Sequence, residues 1–183
     1  MKHGKQIRKM TQTAILLALL VALQALTAGL GQIVTGSCVN AVLAVAALTV
    51  GWGGGLAVAL VSPVLAYFLG IAPQIVTVPA IMAGNGVYVL LLYFVARGSK
   101  PALWRRLAAW LGAAAGKFAV LYAVVVKLIC GALAENLLNA GTLKPPMIAA
   151  LTVKFGWMQL VTALIGGGLA LVILPVLQKA LKK

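Results

Sequence analysis

Acidic side chains are almost missing from this chain. Among its 183 residues Glu135 is the only acid, against 15 lysines and arginines, and the formal net charge is +14. A single carboxylate cannot supply the pair of acids that hydrolases with two catalytic carboxylates require. The sequence therefore excludes that class of active site.

Histidine and cysteine are equally scarce. The only histidine is His3, and the two cysteines, Cys38 and Cys130, are far apart in the sequence. A zinc site needs three or four such ligands held close together, so we expect no metal site and no cofactor. We expect the two cysteines to be buried separately as small apolar side chains rather than joined in a disulfide.

Charge is also missing from one long stretch of the chain. No charged side chain occurs between Lys9 and Arg97, although a single bilayer crossing needs only about 20 apolar residues. Clusters of glycine and proline interrupt this stretch at residues 29–31, 51–55 and 70–73. Such clusters mark breaks between elements, and we predict four transmembrane helices over residues 11–30, 33–51, 54–70 and 76–96.

Two more apolar stretches, residues 107–131 and 147–177, raise the predicted count to six helices. Basic residues lie in the tail 1–10, in the loop 97–106 and at the C-terminus. Lysine and arginine in short loops favour the cytoplasmic side, and four crossings followed by two place all three basic segments there. The sequence predicts one all-α, integral membrane domain over residues 1–183, with both termini cytoplasmic and an outer loop at residues 131–146.

Six crossings leave no room for a soluble catalytic or nucleotide-binding domain. No glycine-rich phosphate loop ending in Gly-Lys-Ser/Thr is present, and the only histidine lies outside the predicted spans. We therefore expect no enzymatic activity and no catalytic residues. The basic residues flank the spans, where anionic lipid headgroups explain most of them, so we expect contacts with membrane lipids and no nucleic-acid partner. Binding and handing over a solute is the simplest remaining role.

Small residues recur along the first predicted helix. Ala14, Ala18 and Ala22 are four residues apart and therefore lie on nearly one face of the helix. Small residues let membrane helices approach each other closely. The spacing alone leaves packing inside the protein and docking of another helix as equal alternatives.

These features together resemble a known family. The basic tail, the Thr-Gln-Thr-Ala-Ile-Leu-Leu-Ala segment at residues 11–18, the glycine turn at residues 51–55 and the six-helix size are similar to the substrate-binding S component of energy-coupling factor (ECF) vitamin transporters. The resemblance covers almost the whole chain. It implies a multi-pass protein of a bacterial or archaeal cytoplasmic membrane that takes up a vitamin or related nutrient.

The resemblance also implies a partner and a motion. In that family the alanine face of the first helix docks on a transmembrane coupling subunit, which two cytoplasmic ATPases drive. Carried over to this chain, Ala14 and Ala18 are the docking positions, and Ala22 extends them. The whole S component is expected to topple in the bilayer and so carry its solute from the outer face to the inner.

A lysine deep within a predicted span is the strongest evidence in the sequence for a binding site. Lys117 lies about 15 Å from the inner end of the fifth predicted helix, too deep for its side chain to reach water easily. Lys127 and Lys154 lie nearer the outer side, where extension toward water is the more ordinary explanation. Because Glu135 is the only acid, a carboxylate or phosphate of a solute is the candidate counter-ion. An alternative keeps Lys117 neutral and hydrogen-bonded to backbone or water.

We predict that basic and amide side chains with one aromatic residue bind a small anionic solute: Lys117, Lys154, Gln159, Asn40, Asn85 and Trp157. Tyr88, Tyr122 and Phe155 are alternatives for the aromatic wall. A single buried amide more often bonds another helix than a ligand. The evidence for a solute site is therefore the whole group of polar residues near one end of the bundle, which also includes Gln24, Gln32, Ser37 and Gln74.

The identity of the solute stays open at the level of the sequence. The lack of acids in the spans disfavours thiamine-like cations, whereas carboxylates such as pantothenate, niacin, biotin or folate relatives remain. The main alternative function is an autonomous, oligomeric channel or secondary transporter. A third is a structural subunit of a membrane complex, which would bind no solute.

Overall fold

The computed structural model of the chain describes residues 2–71, 74–96 and 102–181, and every regular element within these ranges is helical. The α-helices are α1 (Lys2–Thr27), α2 (Gln32–Thr49), α3 (Trp52–Phe68), α4 (Val78–Ala96), α5 (Leu103–Leu121), α6 (Ala134–Asn139), α7 (Pro145–Phe155) and α8 (Trp157–Leu181). Short 3₁₀ turns follow α1 and precede α4, and a π-helix, Tyr122–Ala132, continues directly from α5. Residues 97–101 of the predicted basic loop and residues 182–183 of the basic C-terminus lie outside the described residues.

Within the described ranges, five helical segments are long and apolar enough to cross a membrane: His3–Leu30, Gln32–Thr49, Ile75–Ala96, Leu103–Ala132 and Pro145–Leu177. The remaining apolar helix, α3, has 17 residues, which is about 25 Å at 1.5 Å per residue, slightly less than the hydrocarbon core of a bilayer. The predicted class, an all-α integral membrane bundle, is confirmed. The sixth crossing, which falls on α3, and the cytoplasmic position of both termini stay predictions.

The helices differ from the predicted ones in three places. α1 begins at Lys2, because the basic residues that precede the apolar run are themselves compatible with a helix. The last predicted helix is broken at Gly156, whose backbone (φ −80°, ψ −138°) is not helical. A β-carbon at Gly156 would lie 2.6 Å from the carbonyl oxygen of Thr152, so only glycine fits this break. The predicted outer loop, residues 131–146, contains α6.

The buried apolar side chains form two clusters. The first cluster is built by α1–α5 and α8 and is rich in small residues, including Ala46, Ala47 and Ala113. It is closely packed because small residues let the helix backbones approach: a β-carbon at Gly166 of α8 would collide with the carbonyl oxygen of Ser37 on α2. α2 and α8 accordingly form the most extensive helix pair among those described.

The second cluster is smaller and combines α-helical residues with residues of the π-helix and of the chain before α7. Its members lie in α4, at the end of α5, in the π-helix, before α7 and in α7. Leu121, Leu151 and Phe155 are among its buried side chains. The π-helix is unusual, since helices of this type are rare and are found mostly as single turns at functional sites. The two clusters therefore differ in the regularity of the backbone that supports them.

Candidate functional site

A polar chamber of about 90 Å³ lies between the two clusters. Val39, which packs on the first cluster, forms part of its wall, as do Leu121 and Phe155 of the second. The polar side chains that line it come from α1, α2, α4, α5, α7 and α8: Gln24, Gln32, Thr35, Asn40, Asn85, Lys117, Lys154 and Gln159. The fold thus brings together polar residues that are widely spaced in the sequence.

The structure places five of the six predicted solute contacts around this chamber: Lys117, Lys154, Gln159, Asn40 and Asn85. Trp157 is separate from them, because its side chain is 60% exposed and lines neither the chamber nor the adjoining cavity described below. It begins α8 directly after the break at Gly156. The sequence predicted one uninterrupted helix here and therefore did not predict this break. Phe155, one of the alternatives for the aromatic wall, lines the chamber instead.

Lys117 is the most strongly buried charged group at this site, with 3% of its surface exposed. Its Nζ donates a hydrogen bond to Oδ1 of Asn40 over 2.6 Å and lies 5.6 Å from the centroid of the Tyr88 ring. The face of an aromatic ring attracts a cation. Two groups of the protein therefore stabilise the ammonium, and both of them are formally neutral.

Asn40 is held in one orientation by its second partner. Its Nδ2 donates to Oγ1 of Thr162 over 3.3 Å, and the Thr162 hydroxyl donates to the carbonyl oxygen of Gln159 over 3.2 Å. The amide nitrogen faces α8, so the amide oxygen faces Lys117. Because α2 and α8 pack closely, this chain of hydrogen bonds fixes the ammonium against the wall of the chamber.

Within the described part of the chain, no carboxylate neutralises Lys117. The only acid of the chain, Glu135, is exposed on α6 and does not line the chamber. An ammonium taken out of water without a counter-ion is costly, and a hydrogen bond from one amide compensates only part of that cost. The chamber is therefore suited to binding an anion.

Lys154 marks the place where the chamber meets a larger cavity. This second cavity, which we call the vestibule, encloses about 650 Å³. Gln32, Thr35, Ile71 and Lys154 line both spaces. Lys154 is half-buried, and its carbonyl oxygen accepts a hydrogen bond from Nε2 of Gln159 over 3.2 Å, which links α7 to α8 across the break. The vestibule has the volume typical of small-molecule sites, and it leads to the polar chamber.

Two buried amide oxygens at the chamber have no hydrogen-bond partner in the described part of the chain, Oδ1 of Asn85 and Oε1 of Gln24. Asn85 is 1% exposed, and its Nδ2 lies 3.5 Å from the carbonyl oxygen of Ala59. Since a carbonyl only accepts hydrogen bonds, the amide nitrogen belongs on that side, which leaves the amide oxygen unpaired. Buried polar atoms nearly always have partners, so these oxygens are candidate contacts for a solute.

Thr35 and Thr162 belong to the site but were not selected from the sequence. Threonines within a helix commonly bond their own backbone, as Thr49 bonds the carbonyl of Val45 here, and nothing in the local sequence distinguishes Thr162. Its role depends on Asn40, which is 122 residues away. Only the packing of α2 on α8 reveals the pair.

The alanines of α1 lie on the outside of the bundle. Ala14, Ala18 and Ala22 are all exposed, and only 11% of the apolar window of this span is buried, against 50% for Gln32–Thr49. Of the two alternatives drawn from the spacing, packing within the chain is wrong for these positions. Docking of a partner helix stays a prediction. The cysteines Cys38 and Cys130 are free and half-buried.

Fold and site define a class: a multi-pass helical membrane protein with a basic chamber between its helices. A protein-family model described as "ECF transporter, substrate-specific component" matches residues 8–178. The chain therefore belongs to this family, and the resemblance noted in the sequence is confirmed. It is a substrate-binding membrane component of a transporter and not an enzyme. No curated protein and no solved structure gives a significant match.

Proposed function

We propose that this protein captures a small, anionic, water-soluble nutrient of the vitamin type and delivers it to an ECF module for import. That module consists of a transmembrane coupling subunit and two cytoplasmic ATPases. The observation that carries the proposal is the buried ammonium of Lys117, which faces a chamber without a protein carboxylate. The family assignment supports the transport role, and the charge of the chamber supports an anion as the solute.

The chemistry of Lys117 supports a direct contact with the solute. An ammonium carries three N–H donors, and one of them is used by Asn40. A carboxylate or phosphate oxygen in the chamber would accept another in a charge-assisted hydrogen bond, which is about twice as strong as a neutral one. Removal of one partner from such a buried pair costs about 2–5 kcal/mol.

The orientation that we propose opens the chamber to the outside. Gln24 lies near the end of α1, and Gln32 and Thr35 lie near the start of α2, so this end of the bundle is one helix length from the basic start of the chain. If α3 crosses the membrane and the basic segments are cytoplasmic, the chamber and vestibule face the outer surface of a bacterial or archaeal cytoplasmic membrane. A solute then enters from the vestibule.

The exposed alanines of α1 support the proposed contact with the coupling subunit. Ala14, Ala18 and Ala22 form a smooth face that no other helix of the described chain covers. Close approach of a partner helix requires such small residues, since no hydrophobic effect drives helices together within lipid. Uptake that persists in cells lacking the ECF ATPases would instead favour an autonomous transporter.

The proposal is tested on purified protein with two matched lysine variants. Lys117→Met removes the buried ammonium, whereas Lys127→Met makes the same change at an exposed position in the adjoining π-helix. Native mass spectrometry first identifies any co-purified small molecule, and carboxylated vitamins are then screened by thermal unfolding. A ligand at 100 times its Kd stabilises by about 2.7 kcal/mol. We expect this stabilisation for the wild type and Lys127→Met and its loss in Lys117→Met; equal stabilisation of all three would exclude Lys117 as the anion contact.

A further inference from the structure

We infer that the solute is an aliphatic acid with a hydroxyl or amide N–H near its anionic group, and that it binds with the anionic end in the chamber and its apolar body in the vestibule. The inference rests on the proposed function and narrows its solute to one chemical class. Four features of the two cavities support it: the position of the charge, the unpaired acceptors, the relative volumes and the composition of the walls.

The charge assigns the anionic end of the solute to the chamber. Lys117 is almost completely buried there, whereas Lys154 is half-buried at the junction with the vestibule. Solvent screens a partly exposed charge much more strongly than a buried one. The contact with Lys117 therefore dominates recognition of the anion, and Lys154 is left to contact a polar group in the middle of the solute.

The unpaired oxygens of Asn85 and Gln24 favour a solute with a hydrogen-bond donor. Both atoms are buried, and both residues line the same chamber as Lys117. A carboxylate has only acceptor oxygens, so an anion alone satisfies the lysine and leaves these two amide oxygens without partners. A hydroxyl or amide N–H close to the carboxylate would satisfy them.

The two volumes set the direction in which the solute enters. The chamber encloses about 90 Å³ and the vestibule about 650 Å³, so the chamber accommodates a small anionic group and the vestibule the rest of the molecule. The walls of the vestibule that it does not share with the chamber are largely apolar and include Ala149, Ala150, Val153 and Met158. These side chains suit a saturated body.

The walls also lack the aromatic surfaces that hold flat rings. Among the described residues that line the two cavities, Phe155 is the only aromatic. Tyr88 lies behind Lys117, with its hydroxyl 3.3 Å from the carbonyl oxygen of Ala163. Aromatic solutes gain much of their affinity from stacked or edge-to-face ring contacts. We therefore expect flat aromatic acids to bind less tightly than aliphatic ones.

The test measures equilibrium binding of paired probes to the purified full-length protein. Pantothenate is an aliphatic acid with an amide N–H close to its carboxylate, and biotin is an aliphatic acid whose N–H groups lie far from its carboxylate. Nicotinate and 4-aminobenzoate are aromatic acids, and pantothenol, biotin amide and nicotinamide are neutral counterparts. We expect the tightest probe to be an aliphatic acid, and its neutral counterpart to bind at least about 30-fold more weakly, because the buried charge contact is lost. Asn85→Leu should weaken that acid about tenfold while its binding still depends on Lys117.

The outcomes separate failure of the inference from failure of the proposed function. If an aromatic acid binds most tightly and its binding is lost in Lys117→Met, the proposed function stands and the aliphatic class is wrong. If Asn85→Leu binds the aliphatic acid as tightly as the wild type, the inferred donor is wrong. If no acid binds, or if the neutral counterparts bind equally well, both the inference and the proposed anionic solute are overturned.

Discussion

The two hydrophobic clusters on either side of the proposed binding site differ in the backbone that supports them. The first cluster is supported by regular α-helices whose alanines and glycines allow close backbone contact. The second rests on the π-helix, on α7 and on the chain around them. The chamber lies where these two regions meet, and side chains associated with both line it.

The difference between the clusters explains why the residues of the site have different roles. Asn40 and Thr162 belong to α2 and α8 of the closely packed region, and they hold Lys117 in one position. Lys154 and Phe155 belong to α7, beside the break at Gly156. The closely packed α-helices therefore hold Lys117, and α7 contributes to the junction of the chamber with the vestibule. Four experiments test this comparison, from the largest expected effect on stability to the smallest.

The largest effect is expected where α8 approaches α2. Gly166→Leu places a side chain against the backbone of Ser37 and the β-carbon of Asn40, so the helices must separate, at a cost above the about 1–3 kcal/mol typical of overpacking. Gly112→Leu is the control, because a β-carbon at that position of α5 meets nothing within 4 Å. We expect little folded Gly166→Leu protein after purification and a normal yield of the control. Equal yields would mean that this contact is not close in the folded protein.

The next effect compares a leucine from each cluster. Leu43→Ala and Leu151→Ala both truncate a buried side chain, with 0% and 2% exposure. Such changes cost about 2–5 kcal/mol, depending on how far the surroundings collapse into the cavity. Leu43 lies among closely packed α-helices, whereas Leu151 of α7 shares its cluster with the π-helix and the chain before α7. These parts of the chain can relax more, so thermal unfolding should show the larger loss for Leu43→Ala. A larger loss for Leu151→Ala would mean that the closely packed helices relax more.

A smaller effect is expected from the link between the scaffold and the charge. Asn40→Leu removes the acceptor of the Lys117 ammonium and should destabilise the unliganded protein by about 1–3 kcal/mol. A second change, Lys117→Met, removes the charge as well and should restore most of the stability without restoring solute binding. If the double variant is as unstable as the sum of the single variants, the two side chains do not act as a pair.

The smallest effect on stability is expected on the outer face of α1. Ala18→Leu alters an exposed position and should leave unfolding and solute binding unchanged, while transport with the ECF module is lost because a partner helix cannot approach. Ala115→Leu makes the same change at an exposed position of α5 and should transport normally. Normal transport by Ala18→Leu would argue against docking on this face.

Much of the fold was predictable because the physical signals are local. The charge-free stretch and its glycines predicted α2, α3 and α4 to within two residues and the end of α1 to within three, since lipid tolerates no exposed backbone. The depth of Lys117 along its helix indicated its burial. The break at Gly156 and the π-helix were not predicted, because a straight helix and an interrupted helix can have the same apolar sequence pattern. The partnership of Asn40 with Thr162 depends on tertiary packing and has no local signal.

The outward orientation of the α1 alanines also could be determined only from the structure. Spacing places Ala14, Ala18 and Ala22 on one face, but it does not decide whether that face turns toward the bundle. The alanines of α2 that lie in the first cluster, Ala44, Ala46 and Ala47, are buried. α1 therefore exposes these alanines, whereas α2, a neighbouring helix of similar composition, buries its own.

The most direct test of the account is an experimental structure of the protein with its solute bound. We predict an anionic oxygen of the solute within about 2.7–2.9 Å of Nζ of Lys117, with Asn40 still bonded to the same ammonium. The apolar part of the solute should lie in the vestibule. A solute bound elsewhere, or one whose neutral or cationic group faces Lys117, would contradict the central claim.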